Sequence, residues 1–146
     1  MVGVIGGIVM LRGSHATGTA CRSSATVVRR GSTGHCVSDV QALLDGIALT
    51  NYFAIPSNHG GVARVSDGRY FLNVDGDFGG GTDAGVRAFQ TKAGIGIDGI
   101  VGQQTWRSLC YVSALKGLSY SNALPSIAVN GGRTYGYVYK DGCGAL

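Results

Sequence analysis

The chain contains one short motif twice, and that repeat limits its fold more than any other feature. Asp75-Gly76-Asp77-Phe78-Gly79-Gly80-Gly81-Thr82 is followed 23 residues later by Asp98-Gly99-Ile100-Val101-Gly102-Gln103-Gln104-Thr105. Both copies fit Asp-Gly-x-[Phe/Val]-Gly-x-x-Thr, and both run into a helix-like stretch. A repeated unit of this kind needs a neighbour to bury its apolar face. In each copy the aspartate is placed to bond forward to the backbone and set a turn. The next glycine permits positive φ. The Phe or Val then plugs the core, the second glycine starts a helix, and the threonine falls in its first turn.

Around the repeat, apolar spacing predicts three helices. The first covers residues 35–45, with Val37, Val40, Leu43 and Leu44 on one face and Gly46 as its stop. The second covers 80–93, with Val86, Phe89 and Ala93 as its stripe and Gly94 at its end. Gly85 inside it costs about 1 kcal/mol relative to alanine. The third covers 103–112, where Gly102 as N-cap makes Val101 and Trp106 a hydrophobic staple. Residues 47–72 carry Pro56, His59-Gly60-Gly61 and Asp67-Gly68, and read as a long inserted loop or irregular hairpin. In the tail, 115–146, Asn130-Gly131-Gly132 sits between two β-prone runs, and Tyr135, Tyr137 and Tyr139 would share one strand face. The expected fold is mainly α: a small three-helix bundle built around the repeated loop-helix unit, with a C-terminal β-hairpin-like tail.

A chain of 146 residues is one domain and can bury a real core. With 26 glycines but 45% hydrophobic residues, it is rich in tight turns and not disordered. The net charge of +4 is scattered, and the longest basic run is Arg29-Arg30, so no nucleic-acid stripe is present. Such a surface suits an anionic polymer such as a bacterial cell wall. Residues 1–20 read as a secretion signal. Val2 to Leu11 is all apolar or glycine and too short to span a membrane, and small-x-Ala patterns at Ser14-His15-Ala16 and Gly18-Thr19-Ala20 follow it. Four cysteines agree with export and imply disulfides, with three connectivities possible. The favoured pairing is Cys36–Cys110, tying the first helix to the third, with Cys21–Cys143 stapling the ends.

Reactive chemistry finds little support. The chain has no glutamate, the commonest general acid for glycoside cleavage. His15 falls in the signal, and His35 adjoins Cys36, whose thiol a disulfide would use. No His-x-x-x-His pair, Cys-x-x-Cys or Gly-x-Ser-x-Gly elbow occurs. Asn73, Asp75 and Asp77 match the first ligand positions of a calcium loop, but Phe78 and Ala84 stand where that loop needs glycine and a bidentate acid. Gly79-Gly80-Gly81 lacks the Lys-[Ser/Thr] of a phosphate loop. No catalytic residue, metal or cofactor is therefore assigned.

The ordered motifs resemble the peptidoglycan-binding-domain-like family. Arg30-Gly31-Ser32-Thr33-Gly34 with Val37, Val40 and Gln41 resembles its Gly-Ser-x-Gly-x-x-Val-x-x-Leu-Gln opening. Val74 to Gln90 resembles its Asp-Gly-x-Phe-Gly-x-x-Thr…Ala-Val-x-x-Phe-Gln, and Gly94 to Trp106 its closing Gly-Leu-x-x-Asp-Gly-x-x-Gly-x-x-Thr-Trp. Val40, Gly80 and Gly85 depart from the usual residues, and 47–72 exceeds the usual connection. The match runs from about Val28 to Cys110 and implies a three-helix bundle and a non-catalytic module that binds cell-wall peptidoglycan; the domain is placed at residues 28–114, and with the signal the expected protein is a secreted one. Its expected partner is peptidoglycan, with no nucleic acid, no membrane span and a monomeric state. Candidate ligand contacts are Asp75, Thr82, Arg87, Gln90, Asp98 and Trp106. Two rival functions are a small wall hydrolase using Asp77 or His59, and a protein-interaction module reusing the same bundle.

Overall fold

The computed structural model describes residues 21–22, 26–57, 59–65, 67–116 and 143. Among them lie three helices and one two-stranded antiparallel sheet. Helix α1 is His35–Leu49, strand β1 is Val62–Arg64, strand β2 is Tyr70–Leu72, helix α2 is Gly80–Ala93 and helix α3 is Gln103–Leu115. The strands pair with Val62 opposite Leu72 and Arg64 opposite Tyr70. The hairpin therefore lies inside the 47–72 insertion. The secretion signal expected over 1–20 and the hairpin expected in the tail fall outside the described residues. No described helix is long and apolar enough to cross a membrane.

Helix α1 is the central element and packs against α3, α2 and β2. It is buried from Asp39 through Ala48 without a break, and Val37 is fully covered as well. This burial explains why Gly46 does not stop the helix. Ile47 and Ala48 gain more from the core than one glycine loses in helix propensity, which is about 1 kcal/mol. The helix ends only where the Thr50 hydroxyl donates back to the Ile47 carbonyl at 2.7 Å and Asn51 takes a left-handed φ of 66°. Helix α2 runs as the sequence predicts and stops at Gly94 in the left-handed region, φ 72°. Helix α3 starts after Gly102 as predicted and extends beyond the expected end to Leu115 because Val112 and Ser113 are still buried.

The inserted hairpin is part of the core. Phe71 and Leu72 are buried, and Tyr52 and Phe53 pack their rings on Phe89 of α2 at centroid distances of 6.0 and 5.7 Å. Gly85 of α2 faces this layer. A Cβ there would stand 3.4 Å from Leu72 Cδ1, 3.6 Å from Ile55 Cδ1 and 3.7 Å from Leu44 Cδ1. Asp45 anchors the hairpin from α1, its Oδ1 accepting from the Leu72 amide at 2.8 Å.

The disulfides correct the pairing expected from the sequence. The bonds are Cys21–Cys36 and Cys110–Cys143, with Cα separations of 5.8 and 5.7 Å. Cys36–Cys110 and Cys21–Cys143 do not form. Cys21 lies at the first turn of α1, already within bonding reach of Cys36. Cys143 is held at the same end of the molecule, where the Arg22 Nε donates to its carbonyl at 2.8 Å, and it takes Cys110 of α3. Each bond thus ties a chain end to the nearest helix. The loops span 15 and 33 residues. Loops of that size stabilise by about 3 and about 4 kcal/mol in the chain-entropy model, less than the long closures the other pairing implied.

Candidate functional site

The repeat folds into two loops of one design, each locked by a buried glutamine. Gln41 of α1 serves the first. Its Oε1 accepts from the amides of Asp75 and Gly76 at 3.1 and 2.9 Å. Its Nε2 is shared among Asp75 Oδ1, the Asp77 carbonyl and Thr82 Oγ1, each at 3.0 Å. Gln90 of α2 serves the second in the same way. Its Oε1 accepts from the Asp98 and Gly99 amides at 3.1 and 3.0 Å. Its Nε2 reaches Asp98 Oδ1, the Ile100 carbonyl and Thr105 Oγ1 at 2.9, 3.2 and 3.1 Å. A primary amide suits this role because it offers donors and an acceptor on one rigid end.

The remaining features of the motif follow the expected pattern. Asp75 Oδ1 accepts from the Asp77 amide and Asp98 Oδ1 from the Ile100 amide, both at 2.9 Å. Gly76 and Gly99 have φ of 77° and 73°, and Phe78 and Val101 are buried. The bonds from Ile100 and Gln90 to Asp98 hold its carboxyl below the usual carboxylate range. An extended segment ahead of α1 spans both loops. Val28 and Val101 exchange backbone bonds at 3.2 and 2.9 Å. Gly31 donates to the Phe78 carbonyl at 2.9 Å, and Phe78 donates to the Ser32 carbonyl at 3.0 Å.

This lattice fixes where the candidate contacts lie. Thr82 and Gln90 are buried and their polar atoms are used inside the protein. Trp106 is fully buried, its Nε1 donating to the Thr26 carbonyl at 3.0 Å. Asp75 and Asp98 are exposed, but each gives one carboxylate oxygen to its own turn. Arg87 is exposed, pairs with Asp83 at 3.3 Å and donates to the Asp98 carbonyl at 3.1 Å. The six residues therefore do not form one surface.

The structure brings together a different set at the first loop. Gln41, Gly60, Gly61, Asp75, Asp77, Gly79, Gly80 and Thr82 line a cleft of about 290 Å³. Its roof is the segment leading into β1: the Gly81 amide donates to the Gly60 carbonyl at 2.9 Å and the Asn73 amide to the Gly61 carbonyl at 2.8 Å. The Asp77 carboxylate is exposed and makes no hydrogen bond or ion pair with a described residue. Arg30 Nη2 lies 3.6 Å from the point a Gly80 Cβ would occupy, and Arg30 likewise has no described ion-pair partner. A carboxylate, a guanidinium and a helix start thus meet at one opening. Sequence reasoning passed over Arg30, Gly60 and Gly61. Only the lengthened insertion hinted that something new covers the first loop.

Elsewhere, His35 Nε2 approaches Cys36 Sγ at 3.6 Å and Cys21 is close by, but the disulfide consumes both sulfurs, so the trio offers no thiolate to a metal. His59 is exposed in the hairpin connection next to Gly60.

Residues 67–109 match the model of the family described as "Putative peptidoglycan binding domain". The match takes in β2, both Asp-Gly loops, α2 and α3 as far as Leu109. The chain is also similar to N-acetylmuramoyl-L-alanine amidase CwlL of Bacillus licheniformis, at 27% identity over 119 residues. That alignment covers 82% of this chain and 28% of the amidase, so the chain spans well under a third of its relative's length.

Proposed function

We propose that this chain is a secreted, non-catalytic module that binds bacterial cell-wall peptidoglycan, with the first-loop cleft contacting the stem peptide. The observation that carries the reading is the coincidence of the matched stretch, 67–109, with the repeat whose first copy carries the cleft. Stem peptides offer amines and carboxylates. Asp77 suits an ammonium group, while Arg30 and the start of α2 at Gly80 suit a carboxylate. Asp75 shapes the floor and keeps one carboxylate oxygen for the ligand.

The relative is named as an amidase, which keeps a hydrolase in view. A wall hydrolase needs a group of tuned pKa within reach of its substrate. Asp45 is the described carboxyl that burial pushes well up, but it is completely covered and bonded to the hairpin, so it does not meet a polymer. Sedimentation with purified sacculi tests the proposal, with released fragments assayed in the same tube. Binding without fragments is the expected result. Failure to bind sacculi of any chemotype overturns the wall-binding reading, and fragment release overturns the non-catalytic one.

A further inference from the structure

The same 47–72 insertion that supplies Gly60 and Gly61 to the charged cleft also lines a second cavity of about 470 Å³, against the end of α1. That volume is within the roughly 300–1,000 Å³ usual for small-ligand sites. The floor is apolar: Ala48, Ile55 and Phe71 are all buried. Phe53 and Tyr70, both half-buried, also line it.

Electrostatically it is unlike the cleft. Among the described residues its only charged lining side chain, Arg69, is already committed. Arg69 Nη2 and Nε hold Asp67 at 2.7 and 2.9 Å. Its Nη1 donates to the Leu49 carbonyl at 3.2 Å and Asn51 Oδ1 at 3.4 Å, and the guanidinium lies 5.3 Å over the Phe71 ring. A charged ligand would lose its hydration there without gaining a counter-charge. What remains for a ligand is the Asn51 amide nitrogen and the Tyr70 hydroxyl, neither bonded to a described residue.

We infer that this cavity takes a neutral N-acetylhexosamine ring of the wall glycan, an inference that rests on the wall-binding reading above. Such a ring has an apolar face and methyl group for the floor, and hydroxyl and amide groups for Asn51 and Tyr70. One insertion, 47–72, then contributes to two sites, one for charged peptide and one for neutral sugar.

The test is titration of the whole chain with the β-1,4-linked tetramer of N-acetylglucosamine, which carries no peptide, followed by amide chemical shifts. Saturable shifts at Asn51, Gly68 and Tyr70 in the millimolar range are expected. Tyr70→Phe removes only the hydroxyl, and Asn51→Gly keeps the left-handed backbone while removing the amide. Each should weaken tetramer binding about tenfold, as loss of one well-formed hydrogen bond does. Asp77→Asn should leave it unchanged. If wild-type protein sediments with sacculi but the tetramer moves none of these amides, the sugar site is wrong and wall binding stands. The sugar site is equally wrong if Asp77→Asn abolishes tetramer binding and Tyr70→Phe does not. If neither sacculi nor tetramer binds, both readings fall.

Discussion

The two Asp-Gly loops share the glutamine lock and the aspartate turn bond but differ in what covers them. In the second copy the helix start carries Gln103 and Gln104, both exposed. The Arg87–Asp83 pair lies over that loop, where a Cβ on Gly99 would stand 2.9 Å from Arg87 Nε. In the first copy the matching positions are Gly80 and Gly81. A Cβ on Gly81 would overlap the Gly60 carbonyl oxygen and the Val62 side chain. Gly81 leaves the room in which the segment leading into β1 docks on that helix start. The second difference is Asp77, whose carboxylate has no hydrogen-bond or ion-pair partner among the described residues, where the second copy has Ile100. The same structural unit thus forms the base of a cleft in its first copy and lies under the Arg87–Asp83 pair in its second. The shared motif accounts for the fold, and the residues in which the copies differ mark the site proposed above.

Substitutions separate the two copies. The largest effect is expected from the glutamines. Gln41→Leu and Gln90→Leu each leave two loop amides without their acceptor, and each should destabilise by about 2–4 kcal/mol in denaturant unfolding. Near-equal losses would support one design used twice, whereas a negligible loss at either residue would break the equivalence. Next is Gly81→Ala, which forces the hairpin off α2 and should cost about 1–3 kcal/mol while closing the cleft to sacculi. Gln104→Ala, its counterpart in the second copy, should change stability by less than about 0.5 kcal/mol.

A smaller effect separates the hairpin anchor from the second loop by pH. Burial raises the Asp45 pKa well above the ordinary 3.8, so its contribution to stability is present below that value and is lost as pH rises through the folded pKa. Asp98 is lowered, so its contribution is present above 3.8 and is lost as pH falls through its folded pKa. Asp45→Asn should therefore gain stability over wild type at neutral pH and lose that advantage on acidification. An advantage independent of pH would show that Asp45 does not titrate as its burial requires. The smallest effect is Gly85→Ala. Helix propensity favours it by about 1 kcal/mol, and the nearest contact of 3.4 Å leaves little room, so a net gain below that figure is expected from thermal unfolding.

Much of this arrangement is legible in the sequence because it is local. Turn aspartates, positive-φ glycines, the Phe78 and Val101 plugs and the helix starts all lie within eight residues of each other in each copy. The Gly94 stop is equally local, and it is correct. Gly46 misleads because tertiary burial overrides a propensity that acts on one residue. The glutamine locks are harder to see: Gln90 lies eight residues before Asp98, but Gln41 lies 34 before Asp75, across the insertion. For the same reason Thr82 and Gln90, candidate ligand contacts in sequence, lie inside the protein, while the stripe position of Trp106 already favours the core that it occupies. The cleft combines Gln41, Gly60 and Asp77, which no periodicity joins, and disulfide partners depend on three-dimensional reach that spacing does not encode.

The central claim is that the first copy, and not the second, meets the wall. Sacculus-binding isotherms of Asp77→Asn and Gln103→Ala, taken side by side with wild type, test it most directly. The account predicts about a tenfold loss of affinity for Asp77→Asn, as expected for one charge-assisted contact, and none for Gln103→Ala. Wild-type binding by Asp77→Asn, or a loss confined to Gln103→Ala, would contradict it.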